Sequence, residues 1–490
     1  MHTLKSSLSP NGFLSSSDYH QNPRLMIQAI LAPTLLFNHK ILKPHFKILK
    51  NCCKKSAQFY VPKFSCSVAQ GERLRSVGVD KEFDVATLGN LCVDIVLNVP
   101  KLPPNSREDR KAYMDELSKS PPDKIYWEAG GNCNMAIAAA RLGLHCTTIG
   151  HVGDEIYGNF LLDVLRKEGI SMVGMSEQGH ISSSSSTEYE TLLCWVLVDP
   201  SQRHGFCSRA DFSKEPAFSW MAKLSAEVKM ALKQSKVLFC NGYGFDELPP
   251  NLIVSALEYA AEVGTSIFFD PGPRGKTLAN GSPDEQKALN MLLRMSDVLL
   301  VTSEEAESLT SIQDPILAGQ ELLRKGVRTK WVIVKMGSKG SILITMSSIS
   351  YAPSFKVDVV DTVGCGDSFV AAIAFGYINN LPLVHTLTVA NAVGAATAMG
   401  SGAGRNVATL ENVMELLKRS TLNEDDKYLK DVLNNGLDGQ EVTFLSKKAV
   451  NGSNNQLILV PVQKVVSEVL PKLEFGLLKR ECSSLKSHSA

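Results

Sequence analysis

The stretch DTVGCGDSFVAAIA, residues 361–374, joins a glycine-rich turn to an apolar run of small residues. Glycines let the backbone bend tightly, and the start of a helix leaves N–H groups without partners inside the helix. Together these features are typical of a site that binds an anion. The acid Asp367 would repel such an anion, so we interpret it as a group that receives a proton there.

A second glycine cluster, WEAGGNCNMAIAAARLG, occupies residues 127–143. Gly130 and Gly131 lead into an alanine-rich segment, and Asn132 and Asn134 lie in the first turn of the predicted helix. Taken alone, the cluster is equally compatible with a simple turn in which Asn132 caps the helix. Its functional interpretation depends on its pairing with the later cluster.

Strand-like and helix-like segments alternate from Phe83 onward, which predicts a parallel sheet with helices on both faces. Functional sites of such sheets gather at the carboxyl ends of the strands. The charged segment 105–124 interrupts this pattern and is compatible with a short helix over a site or with a surface excursion. The segments VTFLSKKAV and NQLILVPVQKVVSEVL near the C-terminus are compatible with late strands or with a helix against the core.

Composition excludes several functional classes. The 490 residues are 44% hydrophobic, enough for a large core in one domain or two, and the net charge of +1 gives no nucleic-acid signal. The eleven cysteines show no paired CxxC spacing, which argues against a disulfide framework or zinc site and favours a reducing compartment. No uncharged apolar run is long enough to predict a membrane span.

The first 70 residues are rich in Ser, Lys and His and contain a single acid, Asp18. This composition predicts a disordered, cleavable transit peptide, and a basic tail without a targeting role is the alternative. Only Arg24 precedes Arg73, so import into a plastid fits better than import into a mitochondrion. We expect the mature protein in the chloroplast stroma.

The two glycine clusters together resemble those of the ribokinase-like (PfkB) family of sugar and nucleoside kinases, and the targeting signal suggests a plant plastid-type member. GNLCVD, DPGPRG, TSEEAESL, VKMGSKG and ANAVGAATAMGSGAG follow the family's order, and the resemblance covers residues 83–418. It implies an α/β fold with a central, mostly parallel sheet flanked by helices on both faces. A small β lid would form near residues 91–128 and 187–210, and residues 419–490 would be a C-terminal extension of unknown role.

The resemblance implies that the protein moves the γ-phosphoryl group of ATP to a hydroxyl of a small sugar, polyol or nucleoside. Asp367 matches the family's general base, and the N–H groups of Gly364, Cys365 and Gly366 match its anion hole. Cys365 stands where the family usually has Ala, and the main-chain donors should tolerate that change.

Other site residues are also implied by the resemblance. Those for the acceptor are Asp94, Asn90, Gly130, Gly131 and Asn134, and those for the nucleotide are Lys335, Gly337, Gly340, Asn391 and Gly402. Asn132 replaces a residue that is usually small in the family, which would alter the acceptor side.

Metal handling shows one departure from the family's pattern. Glu305 matches the residue that organises Mg²⁺ through water, but Thr302 stands where the family has Asn, so we expect weakened or retuned metal binding. Some family members bind a monovalent cation such as K⁺ near the residue that matches Asp361. Many pair through their lids, which implies a homodimer, although the 105–124 insertion leaves that open.

A second hypothesis is a kinase-like structural protein, weak or inactive as an enzyme, that supports plastid gene expression with a plastid protein partner. Thr302, the insertion and the C-terminal extension leave room for it, whereas the joint presence of Asp94, Asp367 and the glycine hole favours the kinase. The sequence does not identify the acceptor.

Overall fold

The computed structural model describes residues 81–104, 106–120, 122–175, 190–201, 203–213, 215–219, 221–401, 403–424, 441–446 and 457–487. The predicted transit peptide lies outside these residues. Fifteen strands, β1 to β15 in chain order, are found in the described part: Phe83–Leu88, Leu91–Asn98, Trp127–Gly131, Cys146–Gly150, Ser171–Gly174, Leu192–Val198, His204–Ser208, Ser235–Asn241, Ser266–Asp270, Val298–Thr302, Trp331–Lys335, Ser341–Ile344, Ser348–Ala352, Glu441–Ser446 and Leu457–Pro461.

Helices in the same residues, α1 to α14, are Arg107–Ser118, Asn132–Arg141, Ile156–Lys167, Ala226–Gln234, Gly244–Glu247, Pro250–Glu262, Arg274–Ala279, Pro283–Met295, Ser303–Thr310, Pro315–Lys325, Cys365–Ile378, Leu383–Ala398, Leu410–Arg419 and Val462–Ser487. Local sequence signals explain where several begin. Ser282 and Glu285 form a capping box at the start of α8, and Asp314 caps α10 through the N–H groups of its first turn.

The large sheet has eleven strands in the order β15-β14-β13-β12-β11-β10-β9-β8-β1-β4-β5. Its pairs are parallel except for β11 with β12 and β12 with β13. Alternate strand residues enter two separate cores, with Val85 on one face and Ala86 on the other. Helices α2, α11 and α12 cover the first face, and α6, α8 and α10 cover the second, so the predicted ribokinase-like α/β class is confirmed.

A second, smaller sheet has four strands in the order β3-β2-β6-β7, and we call these strands the lid. Strands β2, β6 and β7 lie within the two ranges that the sequence predicted for a β lid, and β3 begins inside the first range and extends three residues beyond it. Cys92 and Asp94 on β2 share one face with Cys194 on β6, because Asp94 and Cys194 are register partners. This face carries Asp94, the acid that the sequence analysis assigns to the acceptor.

The charged insertion forms helix α1, which is one of the two structures that its sequence allowed. Ser106 caps it by accepting from the N–H of Asp109. Its Met114 is buried in the core that includes lid residues, and the thiol of Cys207 on β7 lies 3.9 Å from the carbonyl oxygen of Arg110. The insertion therefore packs on the lid.

The C-terminal segments form both strands and a helix. Strands β14 and β15 join the large sheet in parallel beyond β13, and helix α14 buries Val465, Val469 and Leu473 in the core. His385 on α12 lies 2.7 Å from Glu468 on α14. Within the described residues, no helix combines the length and apolar character that a membrane crossing requires.

Candidate active site

The glycine-rich turn leads directly into helix α11. Gly364 is its N-cap with φ +76°, a left-handed conformation that favours glycine, and no side chain caps the helix. The N–H of Cys365 donates to the carbonyl oxygen of Thr362 at 3.3 Å, so this predicted anion-hole donor is already used within the turn. Among the described residues, the N–H groups of Gly366 and Asp367 have no partner and can bind an anion.

Asp367 lies in the first turn of α11 and connects the two glycine clusters. The amide of Asn134 donates from Nδ2 to Oδ2 of Asp367 at 3.3 Å, and its Oδ1 accepts from the N–H of Gly404 at 2.8 Å. Burial raises the pKa of Asp367 to about 7, and the charge of Asp270 adds to the rise. A carboxylate with this pKa is suited to take a proton near neutral pH.

Asp94 on β2 is the second buried acid of the site, with 5% of its surface exposed. Burial raises its pKa to about 7, and the charges of Asp367 and Glu128 contribute further. The thiol of Cys92 donates to Oδ1 at 3.4 Å, which fixes the orientation of the carboxylate. Because the charge of Asp367 raises the pKa of Asp94, the predicted acceptor acid and the predicted base lie in one site.

The turn between β1 and β2 is held by buried side chains. Asn90 adopts φ +54°, and its N–H donates to Oε2 of Glu247 at 2.6 Å. The side chain of Asn132 donates to the carbonyl oxygens of Leu88 and Gly89 at 3.0 and 2.6 Å. Asn132 therefore supports the turn that carries Asn90, instead of capping its own helix or reaching an acceptor.

Gly131, the last residue of β3, packs against the same turn, with φ +58° and no room for a side chain against the carbonyl oxygen of Asn90. Glu247 was missed by sequence reasoning, since a single acid in YGFDELPP has no recognisable spacing. Burial raises its pKa to about 8, which marks it as a supporting group held inside the protein.

Lys335 ends β11 and forms a close ion pair with Asp270 at the end of β9. A side-chain carbon placed on Gly366 would lie 3.9 Å from the ammonium nitrogen of Lys335. The ammonium group therefore lies beside the anion hole. Burial lowers the pKa of Lys335, but Asp270 and Glu305 more than offset this effect, so the pKa is raised overall and the group stays charged. Asp270 was not among the predicted site residues, although DPGPRG was recognised as a family segment.

Thr302 and Glu305 form a reciprocal capping box at the start of α9. Oγ1 of Thr302 accepts from the N–H of Glu305 at 3.1 Å, and Oε2 of Glu305 accepts from the N–H of Thr302 at 2.8 Å. Burial raises the pKa of Glu305, as does the charge of Asp270, while Lys335 opposes the rise. The capping box therefore holds a carboxylate close to the Asp270–Lys335 pair.

Magnesium fits this part of the site by the chemistry of its donors. Mg²⁺ prefers oxygen ligands and is usually held by one or two carboxylates together with water and substrate phosphates. Asp270 and Glu305 supply such oxygens near Lys335. No group of three or more metal-binding side chains exists in the described part of the chain.

The turn between β11 and β12 depends on glycine. Gly337 and Gly340 have φ +56° and +93°, and a side chain on Gly340 would overlap the carbonyl oxygen of Ala352. Asn391 on α12 is buried and donates to the carbonyl oxygens of Ala352 and Pro353 at 2.8 and 3.2 Å. Asn391 thus supports the wall behind this turn, and its contact with a nucleotide stays a prediction. Gly402 lies outside the described residues.

Asp361 precedes the anion hole and is also engaged. Its Oδ1 accepts from the N–H of Val363 at 2.9 Å and lies 2.7 Å from Nε2 of His204 on lid strand β7. Sequence reasoning missed His204 because it lies on a strand of the small sheet, far from Asp361 along the chain, and no spacing connects the two residues.

The thiol of Cys365 is shielded from reaction in this arrangement. Burial raises its pKa to about 12, helped by the charges of Asp361 and Asp367. A thiol that stays protonated is a poor nucleophile. Cys365 thus serves as a small apolar neighbour of the anion hole.

Comparisons with known proteins agree with this geometry. A model of the pfkB family carbohydrate kinases matches residues 83–410. The 5-dehydro-2-deoxygluconokinase 1 of Bacillus cereus is 26% identical over 321 residues, which cover 64% of this chain and 88% of that protein. The Arabidopsis thaliana protein named Probable fructokinase-4 is 27% identical over 305 residues, covering 61% of this chain and 89% of its own length.

Solved structures share the fold at lower identity. Arabidopsis thaliana ribokinase, solved with ribose and ATP, superposes with a TM-score of 0.51 at 20% identity and covers 69% of this chain and 99% of its own. An E. coli protein described as a candidate ribokinase II, solved with ATP and Mg²⁺, has a TM-score of 0.53 at 21% identity with the same coverage. The family model spans well over half of the sequence, and this chain belongs to the pfkB family of carbohydrate kinases.

Proposed function

We propose that this carbohydrate kinase transfers the γ-phosphoryl group of ATP to a hydroxyl of a small sugar, polyol or nucleoside, with Asp367 as the general base. One observation carries the proposal: a partly buried carboxylate with a pKa of about 7 lies beside open helix N–H groups and the ammonium of Lys335. The carboxylate takes the hydroxyl proton, and the donors stabilise the charge on the moving phosphoryl group.

The acceptor would lie between the lid and α11. Asp94 accepts hydrogen bonds from its hydroxyls, and Asn134 holds Asp367 in the orientation needed to reach the reacting one. The lid excludes water, which would otherwise compete with the acceptor for the phosphoryl group. A small hydroxylated molecule matches this set, because buried carboxylates need hydrogen-bond donors from a guest.

Lys335 would bind the phosphates of the nucleotide. In the structure Asp270 is its partner, and the approach of a phosphate would give the ammonium a second anion. Mg²⁺, when bound with ATP near Asp270 and Glu305, would neutralise charge on the phosphates. The capping-box role of Thr302 leaves Glu305 in place for this purpose.

A monovalent cation does not fit at Asp361. Oδ1 of this carboxylate already accepts from the N–H of Val363 and faces the ring nitrogen of His204. K⁺ would require oxygen ligands where an imidazole edge lies, so we assign no role to K⁺ in this kinase.

Plastid import is part of the proposal and is supported by the composition of residues 1–70. A fluorescent protein fused behind these residues should accumulate in plastids, and a cytosolic signal would oppose the proposal. The lid-mediated homodimer and the plastid protein partner stay predictions. The comparisons give no support to a purely structural role.

Phosphate transfer can be tested with the full-length protein, ATP and Mg²⁺ against a panel of sugars, polyols and nucleosides. We expect ATP consumption with one class of acceptor, and its loss in Asp367→Asn. Asp358→Asn is the matched control, because Asp358 is an exposed acid shortly before the same turn. Equal turnover of the two variants would remove Asp367 from the mechanism, and the absence of nucleotide binding would contradict the kinase assignment of this site.

A further inference from the structure

The lid contacts the turn that precedes the anion hole through a pair of side chains. Nε2 of His204, at the start of β7, lies 2.7 Å from Oδ1 of Asp361, and only 14% and 8% of the two side chains are exposed. Nε2 of His204 is buried and makes no well-directed hydrogen bond among the described residues, so the two side chains are in close contact without a directed hydrogen bond. These residues belong to different parts of the fold and meet because the lid covers the site.

Asp361 holds the backbone that shapes the anion hole. Its carboxylate accepts from the N–H of Val363, the residue immediately before the N-cap Gly364. Behind it, the N–H groups of Val360 and Asp361 both donate to the carbonyl oxygen of Ala398 at the end of α12. A displacement of the Asp361 carboxylate would therefore be transmitted to the turn that directs the N–H groups of α11.

A buried carboxylate needs a nearby positive or polar partner. In this chain the lid contributes such a partner, because Nε2 of His204 lies 2.7 Å from Oδ1 of Asp361, and a cation bound to the same oxygen would have to share this space with the ring. The Asp361 turn then has its full set of contacts only while β7 is in place. Lid position and anion-hole geometry are coupled through this contact.

We propose that His204 is a positioning residue that takes the place of a bound monovalent cation beside Asp361, so that the anion hole is ordered by the lid. This inference rests on the proposed function of the anion hole. It makes two statements that can be measured without an acceptor: the wild-type protein has no cation site at Asp361, and removal of the ring creates one while loosening the turn.

The first test compares thermal unfolding of the full-length protein in potassium, sodium and choline chloride at matched ionic strength. Wild type should have the same Tm in all three salts. His204→Ala, which leaves a space beside Asp361, should be stabilised by K⁺ or Na⁺ relative to choline. His145→Ala, which removes an exposed ring immediately before β4, is the control and should show no difference. Stabilisation of wild type by K⁺ over choline would overturn the proposal.

The second test measures hydrogen exchange of backbone amides in the absence of nucleotide. His204→Gln retains a polar side chain if the alanine variant folds poorly. Either variant should exchange faster than wild type at residues 361–366, with weaker Mg·ATP binding. Faster exchange confined to residues 204–208 would show that His204 serves only the lid and would refute the coupling. A failed acceptor screen would leave both readouts unaffected, so this inference and the proposed function can fail separately.

Discussion

A methyl group added to Gly130 on β3 would overlap the carboxylate of Asp94 on β2. The overlap involves all three terminal atoms of the acid, so the glycine is required by the side chain beside it. The absence of a side chain at this point of the strand thus leaves the space in which the carboxylate of Asp94 is buried at the face of the lid.

Gly130→Ala should impair acceptor binding, because Asp94 must move to make room for the methyl group. Overpacking of this kind costs about 1–3 kcal/mol, and we expect a rise in KM for the acceptor found by the panel, with little change in KM for ATP. Gly174→Ala is the control, since its added methyl group would meet no atom within 4 Å. Equal increases for both substrates would show general damage instead.

The rate of phosphoryl transfer should rise with pH through about 7. Asp367 must be ionised to accept a proton, and burial raises its pKa to about 7. Because Asp94 titrates in the same range and interacts with it, the measured value belongs to the pair. Profiles of kcat/KM against pH, measured with ATP and with ATPγS, would separate the titration of the enzyme from that of the nucleotide. The terminal group of the nucleotide titrates at a different pH in the two compounds. If the midpoint pH of the rise in rate changes with the nucleotide, the assignment of this pKa to the carboxylates is contradicted.

Asp367→Asn should stabilise the fold in a pH-dependent way. The folded-state pKa of about 7 lies above the ordinary value of 3.8, so ionisation of wild type costs stability as pH rises between these values. The gain in unfolding free energy should be absent near pH 4 and reach roughly 2–4 kcal/mol above pH 7. Urea denaturation at several pH values measures it, with Asp358→Asn for comparison. A gain of the same size at every pH would mean that ionisation is not its cause.

The C-terminal helix should be essential to the stability of the kinase domain. Val465→Asp places a charge in the core, and we expect a loss of roughly 3–5 kcal/mol in unfolding free energy. The neighbouring Lys464→Asp, at an exposed position, should be nearly neutral. If both variants unfold at the same urea concentration, α14 is an appendage and not a part of the core.

The sequence predicted the fold class and the meeting of the two glycine clusters because both depend on local patterns. Periodicity identified the alternating strands and helices, and glycine spacing identified the turns around Gly131 and Gly364. The resemblance to one family assigned Asn134 and Asp367 to the same site, but the hydrogen bond between them was found only in the structure.

The remaining contacts could not be predicted from the sequence, because they depend on the order of the strands in the sheet. Lys335 meets Asp270 because β11 and β9 both lie next to β10, and no spacing along the chain reveals that arrangement. Asn132 was expected to alter the acceptor side, and its side chain donates hydrogen bonds to the backbone carbonyl oxygens of Leu88 and Gly89. Hydrogen bonds inside a loop of this kind are not visible in composition or periodicity.

The parallel pairing of β13 with β14 has a consequence for biosynthesis. Between these two strands the chain passes through α11, α12 and α13, so the anion-hole helix must emerge before the edge of β13 can be covered. Until then, the ribosome-bound chain carries an open strand edge, which is a site for aggregation. Strands β14 and β15 are translated after these helices and cover the edge of β13, so a polypeptide truncated before β14 would be a substrate for chaperones and proteases even with every site residue present.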